Sequence, residues 1–360
     1  MKENSAVQFS RHGEKIFLSE TTNQRVIAEQ YGKGSLMSKT IKWGIMGSGG
    51  IARHFAKDVA LSKGAELVAI GSRSLETAEK FASSFNIPNI HGSYEQLVAD
   101  PNIDIVYIAT PHPEHKRCAL MCINAGKAIL CEKPFAMNYQ ETADIINAAR
   151  AKKVFAMEAM WSRYFPAIRK VKEWIRDGAI GDVKMINTTF GFKCPWDPEW
   201  RLLNKELGGG AALDVGIYTA SFASFVYEDQ PVRIASSAHI GSTDVDEWFA
   251  AIFDYGDGRM AVISNAIRLP LQTEATIYGT EGRIEIPNFI AAKDATLYRR
   301  SKISETFIDE DPRRGMFHEA EEATRCMLEG LLESPEMPLD ETLAIMGTLD
   351  ELRRPWNDAH

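Results

Sequence analysis

The sequence predicts an α/β fold: a doubly wound parallel sheet on the N-terminal side, then a region with a large, mostly antiparallel open sheet. Three observations carry this expectation. A strand, a tight glycine turn and a helix follow one another at 41–61. Strand and helix signals then alternate as far as residue 159. From about residue 183 most elements are strands, two of them joined by Gly256-Asp257-Gly258. Alternation implies parallel strands with crossover helices, whereas hairpin-linked strands imply an antiparallel sheet.

At 360 residues the chain is too long for one ordinary core. Two domains are expected, 37–160 and 161–360. Met37-Ser38-Lys39 has the form of a start directly ahead of the first strand, and the polar segment before it has no apolar export core. Residues 1–36 are expected to be an added leader or a mis-assigned start. Apolar content of 45% and charged content of 25% are those of a soluble globular chain. A net charge of −8 argues against a nucleic-acid partner, and no apolar run reaches the roughly 18 residues of a membrane span. Five cysteines, an odd number without a CxxC pair, fit a reducing compartment, so a cytoplasmic location is expected.

Taken in order, 41–46 is a short buried strand. Gly47-x-Gly49-x-x-Ala52 after it has dinucleotide-binding spacing in its Ala-terminated form. Gly47 permits the turn, Gly49 lets backbone N–H groups approach a pyrophosphate, and Ala52 lets the helix lie close to the strand. The helix N-terminus then presents unpaired donors and partial positive charge. Strand 66–70 ends in Gly71-Ser72-Arg73-Ser74, with no acid until Glu76. An acid here would bind the ribose 2′-hydroxyl of NAD; a hydroxyl followed by a guanidinium suits the 2′-phosphate of NADP. The alternative is that Arg73 stacks on the adenine of NAD. Ser93 to Gln96 and Asn138 to Glu141 have capping-box form. Strand 103–110 runs into Pro111-His112-Pro113-Glu114-His115, at the end of the sheet where such folds bind ligands. Strands 128–131 and 154–158 complete the alternation. Beyond them a helix is expected at 164–177, a strand at 183–192, and a helix from Gly208-Gly209-Gly210 to about 227. Six strands follow, at 232–240, 247–255, 259–268, 273–278, 283–286 and 296–300, and two helices close the chain at 317–333 and 339–354.

Lys133 follows a central strand of the first sheet and precedes Pro134. It can orient a substrate hydroxyl and lower the pKa of a neighbouring acid, or be a surface lysine at a strand end. Asp214 and Tyr218 stand four apart on one helix face. A phenol with a pKa of about 10 is a poor base. A lysine cation about 4 Å away contributes on the order of 4 kcal/mol at an effective dielectric near 20, enough to poise a Lys133–Tyr218 pair near 7 before desolvation opposes it. The competing role for Tyr218 is helix packing. Trp161 is expected as an apolar pocket wall and Arg163 as a ligand for a substrate hydroxyl or the cofactor carboxamide, with interdomain packing as the alternative. His112 and His115 lack a third ligand at metal spacing, so no metal site is expected. Neither a GxSxG elbow nor a P-loop is present.

Four motifs occur in order: Gly47-x-Gly49-Gly50-Ile51-Ala52, Ala109-Thr110-Pro111-x-x-x-His115, Cys131-Glu132-Lys133-Pro134 and Gly208-Gly209-Gly210-x-x-x-Asp214-x-Gly216-x-Tyr218. Together they resemble the glucose–fructose oxidoreductase / inositol dehydrogenase / MocA family; Ser72-Arg73, His112-Pro113-x-His115, Met157-Glu158-Ala159-x-Trp161 and Leu213-Asp214-x-Gly216-Ile217-Tyr218 resemble, within it, the subgroup of dihydrodiol and NADP-dependent D-xylose dehydrogenases. The resemblance implies a Rossmann domain, a C-terminal α/β domain whose open sheet often mediates dimerisation, and a Lys133–Pro134 bond that is a candidate for cis. It also implies that Gly47, Ser48, Gly49, Gly50, Ile51, Ser72, Arg73, Thr110, Pro111, His112, His115, Glu132 and Lys133 face the nucleotide. Trp161, Arg163, Asp214 and Tyr218 would face the substrate. Many family members place His where this chain has Tyr218, and in the subgroup acid–base work falls to the tyrosine, assisted by the lysine and the aspartate. The expectation is an NADP(H)-dependent oxidoreductase moving hydride between nicotinamide and the carbinol or carbonyl carbon of a sugar, polyol or cyclic vicinal diol, acting as a homodimer or higher homo-oligomer through the C-terminal sheet. Two other readings stay open: an NAD-dependent redox-assisted glycosidase, and a non-catalytic nucleotide- or sugar-sensing protein.

Overall fold

The structure, a computed structural model, describes residues 40–357 apart from positions 312 and 314. The expected leader or mis-assigned start at 1–36 lies outside the described residues.

Strands β1 (Ile41–Met46), β2 (Ala65–Gly71), β3 (Asn89–His91), β4 (Ile105–Ile108), β5 (Ala128–Glu132) and β6 (Ala156–Ala159) form a parallel sheet in the order β3-β2-β1-β4-β5-β6. Strand order reverses between β1 and β4, and the carboxyl ends of those strands open a crevice there. Helix α1 (Gly50–Val59) leaves the glycine turn and buries Ala52, Phe55, Ala56 and Val59. That spacing is one helical face. Phe55 stacks on Tyr107 of β4 at 3.7 Å and tilts against Trp43 of β1 at 5.3 Å. Helices α2 (Leu75–Phe85), α3 (Tyr94–Ala99), α4 (His115–Asn124) and α5 (Tyr139–Lys152) complete this layer. Both expected caps form: Ser93 Oγ accepts from Gln96 N at 3.2 Å, and Asn138 Oδ1 from Glu141 N at 2.9 Å. The acidic and amide partners reach back one residue further than the motif describes, to the N–H groups of Gly92 and Met137.

Helix α6 (Pro166–Arg176) begins at a proline, so the expected helix from 164 is split: 161–164 is a separate short turn. Proline suits a first helical turn because its missing N–H would have no partner there. The second sheet contains β7 (Val183–Gly191), β8 (Arg233–Ile240), β9 (Asp246–Gly256), β10 (Arg259–Ala266), β11 (Glu274–Gly279), β12 (Gly282–Pro287), β13 (Asp294–Arg299) and β14 (Lys302–Ile308). Its order is β14-β13-β12-β11-β7-β10-β9-β8. Only β7 and β10 pair in parallel; the other neighbours are antiparallel. The hairpin at Gly256-Asp257-Gly258 forms with all three residues at positive φ. Helix α7 (Ile217–Tyr227) follows a wide turn at Ala212–Gly216, so the helix expected straight from the glycines starts later. Helices α8 (Phe317–Leu328) and α9 (Leu339–Asn357) return to the first layer. The Trp43 indole donates to Thr324 Oγ1 at 3.3 Å, and Tyr139 N donates to Asp350 at 2.8 Å.

Candidate active site

The glycine turn fits a dinucleotide. Gly47 has φ +105, and a Cβ there would meet the Ala109 carbonyl at 2.7 Å, so any larger residue would separate β1 from β4. A Cβ on Gly49 would meet no protein atom within 4 Å. Gly49 caps α1 without a side-chain acceptor, and no acid stands in the first turn. Open space, uncapped N–H groups and absent negative charge are what a pyrophosphate requires. Ser48 and Ile51 lie on this turn, and the Ser48 hydroxyl is 3.2 Å from that of Ser72 at the end of β2. Ser72 is buried and Arg73 beside it is exposed.

Lys133 emerges from β5 through a cis Lys133–Pro134 bond. Its ammonium donates to the Asp214 carbonyl at 2.9 Å and lies 3.8 Å from Asp214 Oδ1. The same ammonium sits 4.7 Å from the centre of the Tyr218 ring. Lysine, aspartate and tyrosine, far apart in sequence, are thus brought together. Arg201, which sequence reasoning did not single out, donates to Asp214 Oδ1 at 2.8 Å. Its signal lay only in its place just ahead of the triple glycine. The carboxylate is 6% exposed. Burial raises its pKa, but Lys133 and Arg201 outweigh that and hold it below the usual range.

The ammonium and the phenol follow from the same balance. Burial pulls Lys133 down, yet Tyr218, Asp214 and Glu132 together raise it, so it stays charged. For Tyr218, burial pushes the phenol up, and the Lys133 cation and a Trp161 hydrogen bond oppose this without overcoming it. The expectation of a pair poised near 7 is therefore corrected: desolvation wins, and the phenol is protonated at neutral pH.

Trp161 does more than form a wall. Its indole N–H donates to the Tyr218 hydroxyl at 2.8 Å, while Phe190 meets the Tyr218 ring edge-on at 5.6 Å. The expectation that Arg163 contacts a ligand is also corrected. Its side chain is 3% exposed, and its two terminal nitrogens are engaged by both Glu341 oxygens at 2.7 and 2.9 Å, Glu336 O, and Ser221 O and Oγ. It fastens α7 to α9 behind the site.

His115 is likewise corrected from a cofactor contact to a brace. It is fully buried, with its ring nitrogens 2.8 Å from Pro134 O and 2.9 Å from Thr110 O, so it ties the end of β4 to the lysine turn. His112 Nδ1 faces Gly208 O at 3.2 Å, and burial pushes this ring down to about 3, so it is neutral throughout the physiological range. Thr110 and Pro111 form the start of this segment. Glu132 is buried, accepting from the Tyr107 hydroxyl and from Lys133 N at 3.2 Å. Two further carboxyls fasten the site. Glu158 Oε1 accepts from Phe135 N at 3.1 Å, and Asp246 Oδ2 from Ala212 N at 2.6 Å. Among the described residues no cluster of three or more potential ligands could hold a metal, and no helix is long and apolar enough to cross a membrane.

Residues 41–160 match the family described as the oxidoreductase family with an NAD-binding Rossmann fold, and residues 168–285 match the GFO/IDH/MocA C-terminal domain. The chain is 39% identical over 321 residues to trans-1,2-dihydrobenzene-1,2-diol dehydrogenase of Xenopus laevis, spanning 86% of this chain and 96% of that protein. Identity to the Homo sapiens protein of that name is 32% over 324 residues, with 87% and 96% covered. In three dimensions it resembles aldose-aldose oxidoreductase from Caulobacter crescentus, with a TM-score of 0.82, 22% identity, and 89% and 99% of the two chains covered. A levoglucosan dehydrogenase aligns with a TM-score of 0.81 at 20% identity, over 89% and 98%. Matched in both halves and over nearly the whole length of its relatives, the chain belongs to the glucose–fructose oxidoreductase / inositol dehydrogenase / MocA family of NAD(P)-dependent oxidoreductases.

Proposed function

We propose that this protein is an NADP(H)-dependent dehydrogenase acting on the carbinol or carbonyl carbon of a sugar, polyol or cyclic vicinal diol. The observation that carries this reading is the Lys133–Asp214–Tyr218 cluster just past the carboxyl end of β5. The relatives named as dihydrodiol dehydrogenases support the substrate class. Ser72 and Arg73 after β2, with no acid in their place, support NADP over NAD.

The nicotinamide supplies the hydride chemistry when bound. Tyr218, protonated at neutral pH, gives its phenolic proton to a carbonyl oxygen in reduction and recovers it from the hydroxyl in oxidation. The Lys133 cation over the ring face stabilises the phenolate that forms. Trp161 donates to the same oxygen. Asp214, kept ionised, orients substrate hydroxyls. In this reading 37–160 holds the nucleotide and 161–360 shapes the substrate pocket, the protein works in the cytoplasm, and two copies pair through the open sheet.

The test is an NADPH- and NADH-coupled screen over aldoses, diols and dicarbonyls, run with wild type and Lys133→Met. Wild type should turn over at least one class with NADPH, and Lys133→Met should lose about 1,000-fold or more in kcat while NADPH affinity changes less than threefold. A fully active variant would remove Lys133 from the chemistry. Nucleotide that survives desalting without net turnover would favour redox-assisted glycoside cleavage instead.

A further inference from the structure

Arg201 occupies a position that the proposed proton transfer does not use. Its neighbours Leu202 and Leu203 are buried, and Gly210 N donates to Leu202 O at 3.0 Å, so the loop backbone at Arg201 is anchored. Its own side chain is 45% exposed. Among the described residues Asp214 is its one hydrogen-bond partner, through a single terminal nitrogen. The guanidinium therefore keeps uncommitted N–H donors. Its charge acts on Glu132, Lys133 and His112 as well as on Asp214, so it lies near that whole group of side chains. Asp214 in turn has no hydrogen-bond partner at Oδ2 among the described residues.

A free donor and a free acceptor fixed to one another form a receptor for one hydroxyl group: the guanidinium donates to its oxygen and the carboxylate accepts its proton. Tyr218 already takes the reacting oxygen in the proposed mechanism, with the Lys133 ammonium over its ring. Lys133 Nζ is 3.8 Å from Asp214 Oδ1, so the second receptor lies next to the first. Adjacent oxygen sites match oxygens on adjacent carbons.

We propose that Arg201, acting with Asp214, is the specificity-determining residue that reads the hydroxyl neighbouring the reacting carbon and so selects vicinal diols over simple alcohols. This rests on the dehydrogenase reading above. A substrate lacking the second hydroxyl would leave the Arg201–Asp214 pair without that ligand and should bind more weakly.

The experiment compares trans-cyclohexane-1,2-diol with cyclohexanol, using wild type, Arg201→Met and Arg201→Lys. Both kcat/KM with NADP and the Kd of each alcohol for the NADPH-loaded enzyme, by nucleotide fluorescence, are measured. Wild type should prefer the diol in Kd by about 100-fold, and Arg201→Met should erase most of that preference by weakening the diol while leaving cyclohexanol within threefold. Arg201→Lys should keep part of it, since one point charge replaces a fork of donors. Equal losses for both alcohols would assign Arg201 a merely structural role and overturn the proposal, as would wild type binding both equally. Wild type that binds NADPH but oxidises no member of the wider screen would instead sink the dehydrogenase reading.

Discussion

The indole N–H of Trp161 and the ammonium of Lys133 reach Tyr218 from two directions, one at the hydroxyl oxygen and one over the ring. Both favour the phenolate, yet burial keeps the phenol protonated. The balance makes each donor individually measurable. Trp161→Phe keeps an aromatic wall and removes the N–H donor together with part of the indole's bulk. One hydrogen bond to a developing anion contributes about 1–2 kcal/mol, or roughly one pKa unit. The limb of the pH–rate profile for alcohol oxidation should therefore move up by about one unit, and carbonyl reduction at pH 7, in which the same phenolate forms, should slow by up to about tenfold. An unmoved limb would mean that the indole serves only as packing. Arg163 teaches the opposite lesson at this scale. It stands two residues from Trp161, yet its terminal donors are engaged within the protein, so proximity in sequence to a site residue did not make it one.

Among the elements, strand ends and turns are fastened by buried carboxyls. Glu158 on β6 holds the turn after Lys133 through Phe135 N, and Asp246 on β9 holds the start of the wide turn that carries Asp214 through Ala212 N. Gly210 is part of this fastening: at φ +112 its missing side chain leaves room for the Asp246 carboxylate, which a Cβ would meet at 2.2 Å. Burial pushes both acids up to about 7, against the backbone hydrogen bonds they accept. A raised carboxyl pKa means that the folded state holds its proton longer than the unfolded chain. Such a group contributes stability that is fully present below its unfolded pKa of about 4 and lost as pH rises through about 7. On their own these two acids make stability fall between pH 4 and pH 7 and level off above, against buried His112, whose lowered pKa acts the other way. Glu158→Gln combined with Asp246→Asn should flatten that slope by up to about 3 kcal/mol per site. Differential scanning at closely spaced pH values checks it; an identical slope in the double variant would show that these acids are not the source.

For the whole molecule the open face of the second sheet matters most. Ile252 on β9, Met260 on β10 and Tyr278 on β11 are 46%, 40% and 38% exposed. The strand register puts them on one face, since Met260 stands opposite Met185, Met185 opposite Tyr278, and Ile252 opposite Val262. The opposite face is closed by buried residues such as Ala261 and Ile263. Apolar side chains spread over a broad flat sheet suit a self-complementary interface. Sedimentation should give twice the mass of one chain, and Ile252→Glu with Met260→Glu should return a monomer by placing charge in the contact. A wild-type monomer at micromolar concentration would remove the dimer from the proposed function.

The chain's local chemistry was sufficient for the glycine turn, the alternation that gives the first sheet, the caps at Ser93 and Asn138, and the hairpin at Asp257. Each depends on residues a few positions apart, where backbone sterics and side-chain reach act directly. The short strand β3 and the exposed edge strand β14 escaped because neither carries a strong apolar alternation; their pairing with β2 and β13 defines them. The parallel pairing of β7 with β10 escaped for a similar reason, since partners some 75 residues apart leave no local pattern. In the site, residue types pointed to Lys133, Asp214 and Tyr218. Only the tertiary structure decided that Arg201 and Asp246 join them, that Arg163 and His115 turn inward, and that burial outweighs a nearby cation at the phenol. Desolvation and long-range contacts are properties of the packed molecule, and no window of sequence contains them.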